Sequence, residues 1–376
     1  RPPRPANASP MQRTTSDKST RTRAPTLSDV AEEAKVSRWI AGQVINGGTA
    51  NSRCSEETRQ RVLLASKRLN YHPNHAARRL RGKRSQMFGL LVASAGDPLR
   101  SFLVQHIDVE AVKIGCHTLV SNTIGNPAVG EDQFQHYIDE FTRLGVDGVF
   151  CTVHHWWPGD RNALLRQHPN TVFYEDPGIP GASHVTVDRE VAARLAVAHL
   201  AAQDRRRIGL AVMTLSRPTH RARLEGYRLE LAARGHDYDG RLVFNGEPHG
   251  WALASYREDT RRWEFPIGVV DQAIDALVRN AGADAIVAHD DFWAAALVRR
   301  LRGRGIHVPQ DVAVVGYLNH YLADWTDPAL TTIDLEHQAA AKAMVEMLEG
   351  MVQGRPVGEE QRVVRIRPQL IVRDSA

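Results

Sequence analysis

The sequence predicts two architectures in tandem, an all-α helix-turn-helix headpiece followed by an α/β core of two Rossmann-like lobes. Three observations carry this expectation. From Thr26 to Leu69 the apolar residues recur at helical spacing in three short blocks. From Met87 the pattern changes to apolar strand runs alternating with helices of roughly 10–15 residues, which argues for parallel sheets. There are too many such units for one small sheet, which implies two lobes.

The stretch TLSDVAEEAKVSRWIAGQVIN (26–46) organises the rest. Thr26 is placed to cap a first helix, with Asp29 as the returning acidic partner. Leu27, Val30, Ala31 and Ala34 form its apolar face. Lys35-Val36 makes the turn, and Ser37 caps a second helix with Ile40, Ala41, Val44 and Ile45 inside and Arg38, Trp39 and Gln43 outside. A helix-turn-helix places such a first turn in the DNA major groove. An ordinary αα-hairpin fits the same spacing. Ser55 to Thr58 opens a third helix with Val62, Leu63, Ala65 and Leu69 as its stripe, and Asn70 to Asn74, with Pro73, ends it. A short basic segment, HAARRLRGKRS (75–85), follows.

The run DVAEEAKVS…VIN…SEETRQRVLLASKRLNYHPNHAARRLRGKRS…GLLV resembles the headpiece and hinge of the LacI/GalR family of bacterial transcription regulators, and the resemblance extends from Thr26 along essentially the whole chain. It implies that Arg38, Trp39 and Gln43 reach base edges, where arginine pairs with guanine and glutamine with adenine. It extends the DNA-facing set to Thr26, Ser37, Asn46, Tyr71, Asn74, Arg78 and Leu80. Leu80 matches a leucine that wedges between bases and kinks the duplex, in a hinge from Asn74 to Leu80 too short to be helical unless DNA and a second copy order it. The chain departs from the family at Lys35, where glycine is usual, and at Ile40, Ala41, Gly42 and Gln43, where Thr, Val, Ser and Arg are usual. Two phosphate-touching hydroxyls are thus missing, and an operator unlike the family consensus is expected.

Composition sets the bounds. The 376 residues suffice for two or three domains, and 42% hydrophobic with 24% charged residues is ordinary for a globular protein. The formal net charge is only +5, but residues 1–84 hold a marked excess of Arg and Lys, suited to a polyanion-binding head. Cys54, Cys116 and Cys151 fit neither a disulfide framework nor a zinc pattern. No apolar run approaches the roughly 20 residues of a membrane helix. Residues 1–25 have no apolar core and read as a disordered basic tail rather than a signal peptide. The expected setting is the bacterial cytoplasm, without a membrane.

The expected divisions are the tail (1–25), the helix-turn-helix domain (26–72), hinge and linker (73–85) and a core from 86 to 376. The resemblance makes that core periplasmic-binding-protein-like, with crossings near Val187, Leu318 and Gly350. The first lobe would then hold 86–187 and 318–350, and the second 188–317 and 351–376. Lobes of this kind bind ligands outside the carboxyl ends of their strands. The resemblance points Arg221, Asp290 (with His289 in place of the usual Asn), Asp176, Asp97 and Arg100 into that cleft. An arginine and carboxylates suit hydroxyl-rich ligands, and the stretch His154-His155-Trp156-Trp157 and Trp325 offer faces for a sugar ring, unless the tryptophans pack in the core or at a dimer interface. The adjacent His154 and His155 lack paired metal-ligand spacing. No GxGxxG or P-loop is present, so no cofactor and no metal are expected. ALASYREDTRRWEFPI (252–267) has no counterpart in the resemblance. A solute-binding transport protein would share the core but not the helix-turn-helix, and an enzyme would need a nucleophile–base pairing that the spacing of His289, Asp290, Asp291 and His320 does not enforce. The expectation is therefore a homodimeric regulator, acting as a repressor on double-stranded DNA at a pseudo-palindromic operator. A small, sugar-like effector controls it, and it is not an enzyme.

Overall fold

The computed structural model describes residues 25–45, 54–71, 84–93, 98–123, 133–153, 160–250, 255–257, 262–355 and 358–376. It divides into two compact units, 1–85 and 86–376.

The described part of the first unit is three helices, α1 (Leu27–Glu33), α2 (Arg38–Ile45) and α3 (Glu56–Arg68). Thr26 and Asp29 form a reciprocal capping box, the Thr26 amide donating to Asp29 Oδ2 at 2.6 Å. Lys35 takes a left-handed φ of 52° in the turn, a conformation that costs a non-glycine residue about 1 kcal/mol. Ser37 Oγ accepts from the Ile40 amide at 3.2 Å and so caps α2. Val30, Ala31, Ala34, Ala41, Val44, Val62 and Ala65 close the core. Leu63, expected in that core, is 41% exposed. Val62, Ala65 and Leu69 already define the inner stripe, and Leu63 lies a third of a turn off it.

The second unit contains two six-stranded sheets. The first takes β1 (Met87–Val92), β2 (His117–Asn122), β3 (Gly148–Cys151), β4 (Thr171–Tyr174) and β5 (His184–Val187), with α4 (Pro98–Lys113), α5 (Gln133–Leu144) and α6 (Arg161–Gln167) between them. The chain crosses after Val187 into α7 (Arg189–Ala202) and builds the second sheet. Its elements are β6 (Ile208–Val212), α8 (Pro218–Ala233), β7 (Val243–Asn245), the antiparallel hairpin β8 (Ser255–Arg257) and β9 (Arg262–Glu264), α9 (Ile267–Ile274), β10 (Ala285–Val287), α10 (Asp291–Arg302), β11 (Ala313–Tyr317), the short α11 (Leu322–Trp325) and β12 (Thr331–Asp334). Then α12 (His337–Val352) returns to the first lobe, β13 (Val363–Ile366) pairs parallel with β5, and β14 (Gln369–Ile371) pairs antiparallel with β12. The strand orders are 13-5-4-3-1-2 and 14-12-11-10-6-7.

Two crossings therefore differ from the sequence expectation. The second lies after Asp334 rather than near Leu318, because Thr331–Ile333 pair parallel with Val315–Tyr317 and keep β12 in the second sheet. The third lies between Ile366 and Gln369 rather than near Gly350, because β13 extends the first sheet. Neither crossing leaves a mark in hydrophobic periodicity. The stretch 252–267 contributes the small hairpin β8–β9, with Tyr256 opposite Trp263. One connected apolar cluster runs from Phe88 and Leu90 of the first sheet to Leu210 and Val315 of the second, so the lobes share core contacts.

Candidate nucleic-acid interface and ligand cleft

In the head, α2 presents one polar-aromatic face. Arg38 and Trp39 are exposed, Trp39 to 65%, and Gln43 is half-buried. Ala41, Gly42 and Val44 turn inward. Thr26 and Ser37 serve as helix caps, which leaves their hydroxyls at the two helix N-termini. Tyr71 packs against the head's core. Asn46, Asn74, Arg78 and Leu80 lie outside the described residues.

In the core, the carboxyl ends of β4, β5, β6, β10 and β11 bring together Tyr174, Glu175, Arg189, Met213, His289, Asp290 and Tyr317. Helix phase adds His220 and Arg223 from α8. They share its buried face with Gly226, Tyr227 and Glu230, and a Cβ on Gly226 would sit 2.2 Å from the Glu190 carbonyl oxygen. That close approach to α7 fixes the rotation of α8. Arg221 consequently does not enter the cleft. It is exposed, and its guanidinium caps the preceding loop, donating to the Leu215 and Ser216 carbonyls at 3.2 and 2.6 Å.

Arg223 takes the interior place. Its guanidinium carbon lies 3.5 Å from the centroid of the Tyr317 ring, and Nη1 donates to the His289 carbonyl at 2.7 Å. Its Nε and the Tyr317 hydroxyl are buried without a hydrogen-bond partner. Burial lowers the Arg223 pKa, Tyr317 opposes this, Arg189 adds to it, and Asp290 opposes it more weakly. Arg189, at the start of α7, reaches the same ring, 5.8 Å from its centroid, and is paired to Glu175 of the first lobe through Nε at 3.2 Å and Nη2 at 2.5 Å. Burial disfavours its charge, but Glu175 outweighs this and holds its pKa well above the usual value.

Two buried histidines stand beside this pair, rings 4.9 Å apart edge to face. The His220 Nδ1 hydrogen bonds to the Thr214 carbonyl at 2.7 Å, and the Met213 amide donates to His289 Nδ1 at 3.4 Å. Burial holds both pKa values well below normal, helped by neighbouring guanidinium charges, so both rings are neutral. Asp290 caps α10, accepting from the Trp293 amide at 2.8 Å, and burial pushes its pKa up to about 7. Asp291 is structural. It accepts from the Tyr317 and His320 amides and the Thr332 hydroxyl at 2.8, 2.6 and 2.6 Å, and a Cβ on Gly316 would meet it at 2.2 Å.

An aromatic cluster spans the two lobes. Phe102 of α4 packs on His320 and Tyr321 with centroids 4.9 and 6.0 Å apart, and Phe292 packs on His320 at 4.7 Å. Trp325, 75% exposed, extends it through Tyr321 at 4.9 Å. Asp176 stands apart, exposed in a turn where it accepts from the Gly178 amide at 2.8 Å. Asp97 and His154 lie outside the described residues, as does the Arg100 side chain, although Arg100 belongs to α4. The sequence reading missed Arg223, Arg189, Glu175 and Tyr317. Residues at 220, 223, 226, 227 and 230 share one helical face, which was the signal available for Arg223.

A helical head whose second helix carries exposed Arg38 and Trp39, joined in one chain to a two-lobed core with a polar cleft, defines a ligand-responsive DNA-binding regulator. Residues 26–74 match the family of bacterial regulatory proteins called lacI, and residues 197–376 match a periplasmic binding protein-like domain. A Streptomyces limosus protein described as an uncharacterized HTH-type transcriptional regulator in the aml 5′ region is 31% identical, over 93% of this chain and 94% of that one. The complex of the transcriptional regulator CelR with cellobiose is 25% identical with a TM-score of 0.64, covering 94% of this chain and 100% of that one. The lac repressor dimer bound to operator and the anti-inducer ONPF shares the fold, at 23% identity and a TM-score of 0.74 over 94% of this chain and 99% of that one. The chain belongs to the lacI family of bacterial regulatory proteins and is a regulator of transcription rather than an enzyme.

Proposed function

We propose that the protein is a repressor that binds a pseudo-palindromic operator as a homodimer and changes its operator affinity when a small, carbohydrate-like effector enters the cleft. The observation that carries this reading is Arg223, a buried guanidinium stacked on Tyr317 with its Nε unpaired at the carboxyl ends of the second sheet. A buried polar group left unpaired costs about 1–3 kcal/mol, and a hydroxyl-rich ligand relieves that cost. Arg189, at the start of α7, approaches the same ring while paired to Glu175 of the first lobe, so a ligand there favours one arrangement of the lobes over others.

In the head, Arg38, Trp39 and Gln43 read base edges, Thr26 and Ser37 place helix N-termini against phosphates, and Leu80 wedges the central step. Two-fold assembly is supported by exposed apolar residues at one edge of the first sheet: Val109 and Val112 on α4, Ile114 just beyond it, and Val120 on the edge strand β2. The test is selection of genomic fragments by the purified protein at about 0.15 M salt, a concentration at which non-specific phosphate contacts are weakened. The reading expects an inverted repeat with a constant centre. Recovery without sequence preference would refute operator-specific binding.

A further inference from the structure

We infer that the first lobe carries a second ligand site, a groove at the amino ends of its strands that takes a small phosphomonoester. The effector cleft lies at the carboxyl ends, so the two sites are separate and the second does not rest on the reading of the first.

Strands β4, β5 and β13 run parallel. Asn170, Ser183 and Arg362, which precede them, therefore stand at one end of the sheet, while Tyr174 closes β4 at the other. Between these amino ends, the loop before β5 and the end of α12 is a groove of about 350 Å³, lined by Leu165, Pro180, Ser183, Met351, Arg355 and Arg362. That volume lies within the range of small-molecule pockets. Both guanidiniums are held in place. Arg362 Nη1 donates to the Gly181 carbonyl at 3.0 Å. Arg355 packs on the bare backbone of Gly350 in α12, where a Cβ would sit 3.7 Å from its Nε, Cζ and Nη2. Neither arginine makes an ion pair among the described residues. Ser183 is 6% exposed, and its hydroxyl makes no hydrogen bond among the described residues. A buried polar group without a partner costs free energy that a ligand oxygen recovers. No carboxylate is among the described residues that line this groove. Asp176 borders only its continuation beyond Arg362, where it accepts from the Gly178 amide. The side chain of Glu359 lies outside the described residues.

These donors select the ligand. A guanidinium offers donors only, in a planar fork that fits phosphate oxygens in pairs. A phosphomonoester brings three terminal oxygens and nearly two negative charges at neutral pH, enough to meet both forks and the Ser183 hydroxyl together. A carboxylate, with two oxygens, leaves one of the three unmatched. Leu165, Pro180 and Met351 form an apolar wall that a short carbon body covers and a free phosphate ion does not.

The test is calorimetry on the full-length protein at constant ionic strength with glycerol 3-phosphate, glucose 6-phosphate and inorganic phosphate, and with glycerol as the uncharged control. Each titration is repeated on Arg223→Gln, so that binding in the cleft is read apart from binding in the groove. The expected result is one ester bound per chain, at least about tenfold tighter than glycerol and equally tight in Arg223→Gln. Arg355→Gln and Arg362→Gln weaken the esters by roughly 10- to 100-fold, and Ser183→Ala by up to about tenfold. Arg355 is exposed, so its replacement leaves the fold in place. The inference is overturned if neither ester binds, or if Arg355→Gln and Ser183→Ala bind both as wild type does. It is equally overturned if Arg223→Gln loses the esters while Arg355→Gln keeps them, which would put the anion in the cleft. Inorganic phosphate binding as tightly as both esters would overturn the assignment to an ester.

Discussion

Arg221 and Arg223 are two residues apart and face opposite sides of α8, so they separate a surface role from a cleft role by a direct comparison. Arg223→Gln is predicted to weaken effector binding by roughly 10- to 100-fold, the worth of hydrogen bonds to a charged group, with operator affinity unchanged. Arg221→Ala, which loses only bonds to the Leu215 and Ser216 carbonyls, leaves both unchanged within error. Asp290 gives a pH signature. Its folded pKa of about 7 lies above the unfolded value near 3.9, so the native state holds a proton the unfolded state has released, and stability falls as pH rises from about 4 to 7. Asp290→Asn keeps a cap for the Trp293 amide and removes that dependence. Its melting temperature relative to wild type should rise between pH 5 and pH 8, and a constant difference would contradict the buried-acid assignment. The cleft was only partly legible in the sequence. The segments around Arg221 and Asp290 do border the cleft, but choosing between Arg221 and Arg223 required the rotation of α8 that Gly226 fixes against Glu190. Arg189, Glu175 and Tyr317 meet only through tertiary structure and carry no local signal.

The helices and strands were the more legible scale, because capping and periodicity are local. The Thr26–Asp29 box and the Ser37 cap were readable from residue type, while the positive φ at Lys35 followed only from the glycine usual at that position in the resembling family. The return of α12 to the first lobe was implied by the family resemblance, but its bounds and the placement of β13 were not legible, since parallel strands of either sheet present the same apolar run. Two features of the head are predicted to hold it below its best stability. Lys35→Gly relieves the left-handed turn, and Gly42→Ala restores helix propensity while placing a Cβ 3.4 Å from Leu27, an ordinary contact. Each should stabilise the head by about 0.5–1 kcal/mol, visible as slower amide exchange in α1 and α2. Destabilisation by Gly42→Ala would show that α2 and α1 pack too closely for a methyl group.

At the scale of the whole molecule, the proposed operator binding pairs two heads, and the apolar edge at Val109, Val112, Ile114 and Val120 is the surface proposed for that pairing. Val112→Glu is predicted to yield a monomer by light scattering that binds a half-site but has lost high-affinity binding to the full inverted repeat. A variant that remains dimeric would place the interface elsewhere. Effector control then amounts to a coupling energy between cleft and head, commonly 1–3 kcal/mol. The most direct test is an operator titration of wild type and Arg223→Gln side by side across a panel of mono- and disaccharides. The account predicts that one compound shifts wild-type operator affinity by about 5- to 150-fold, while Arg223→Gln binds operator equally well and does not respond. A variant that responds at the same concentration as wild type, or a wild type whose affinity no compound moves, would contradict it.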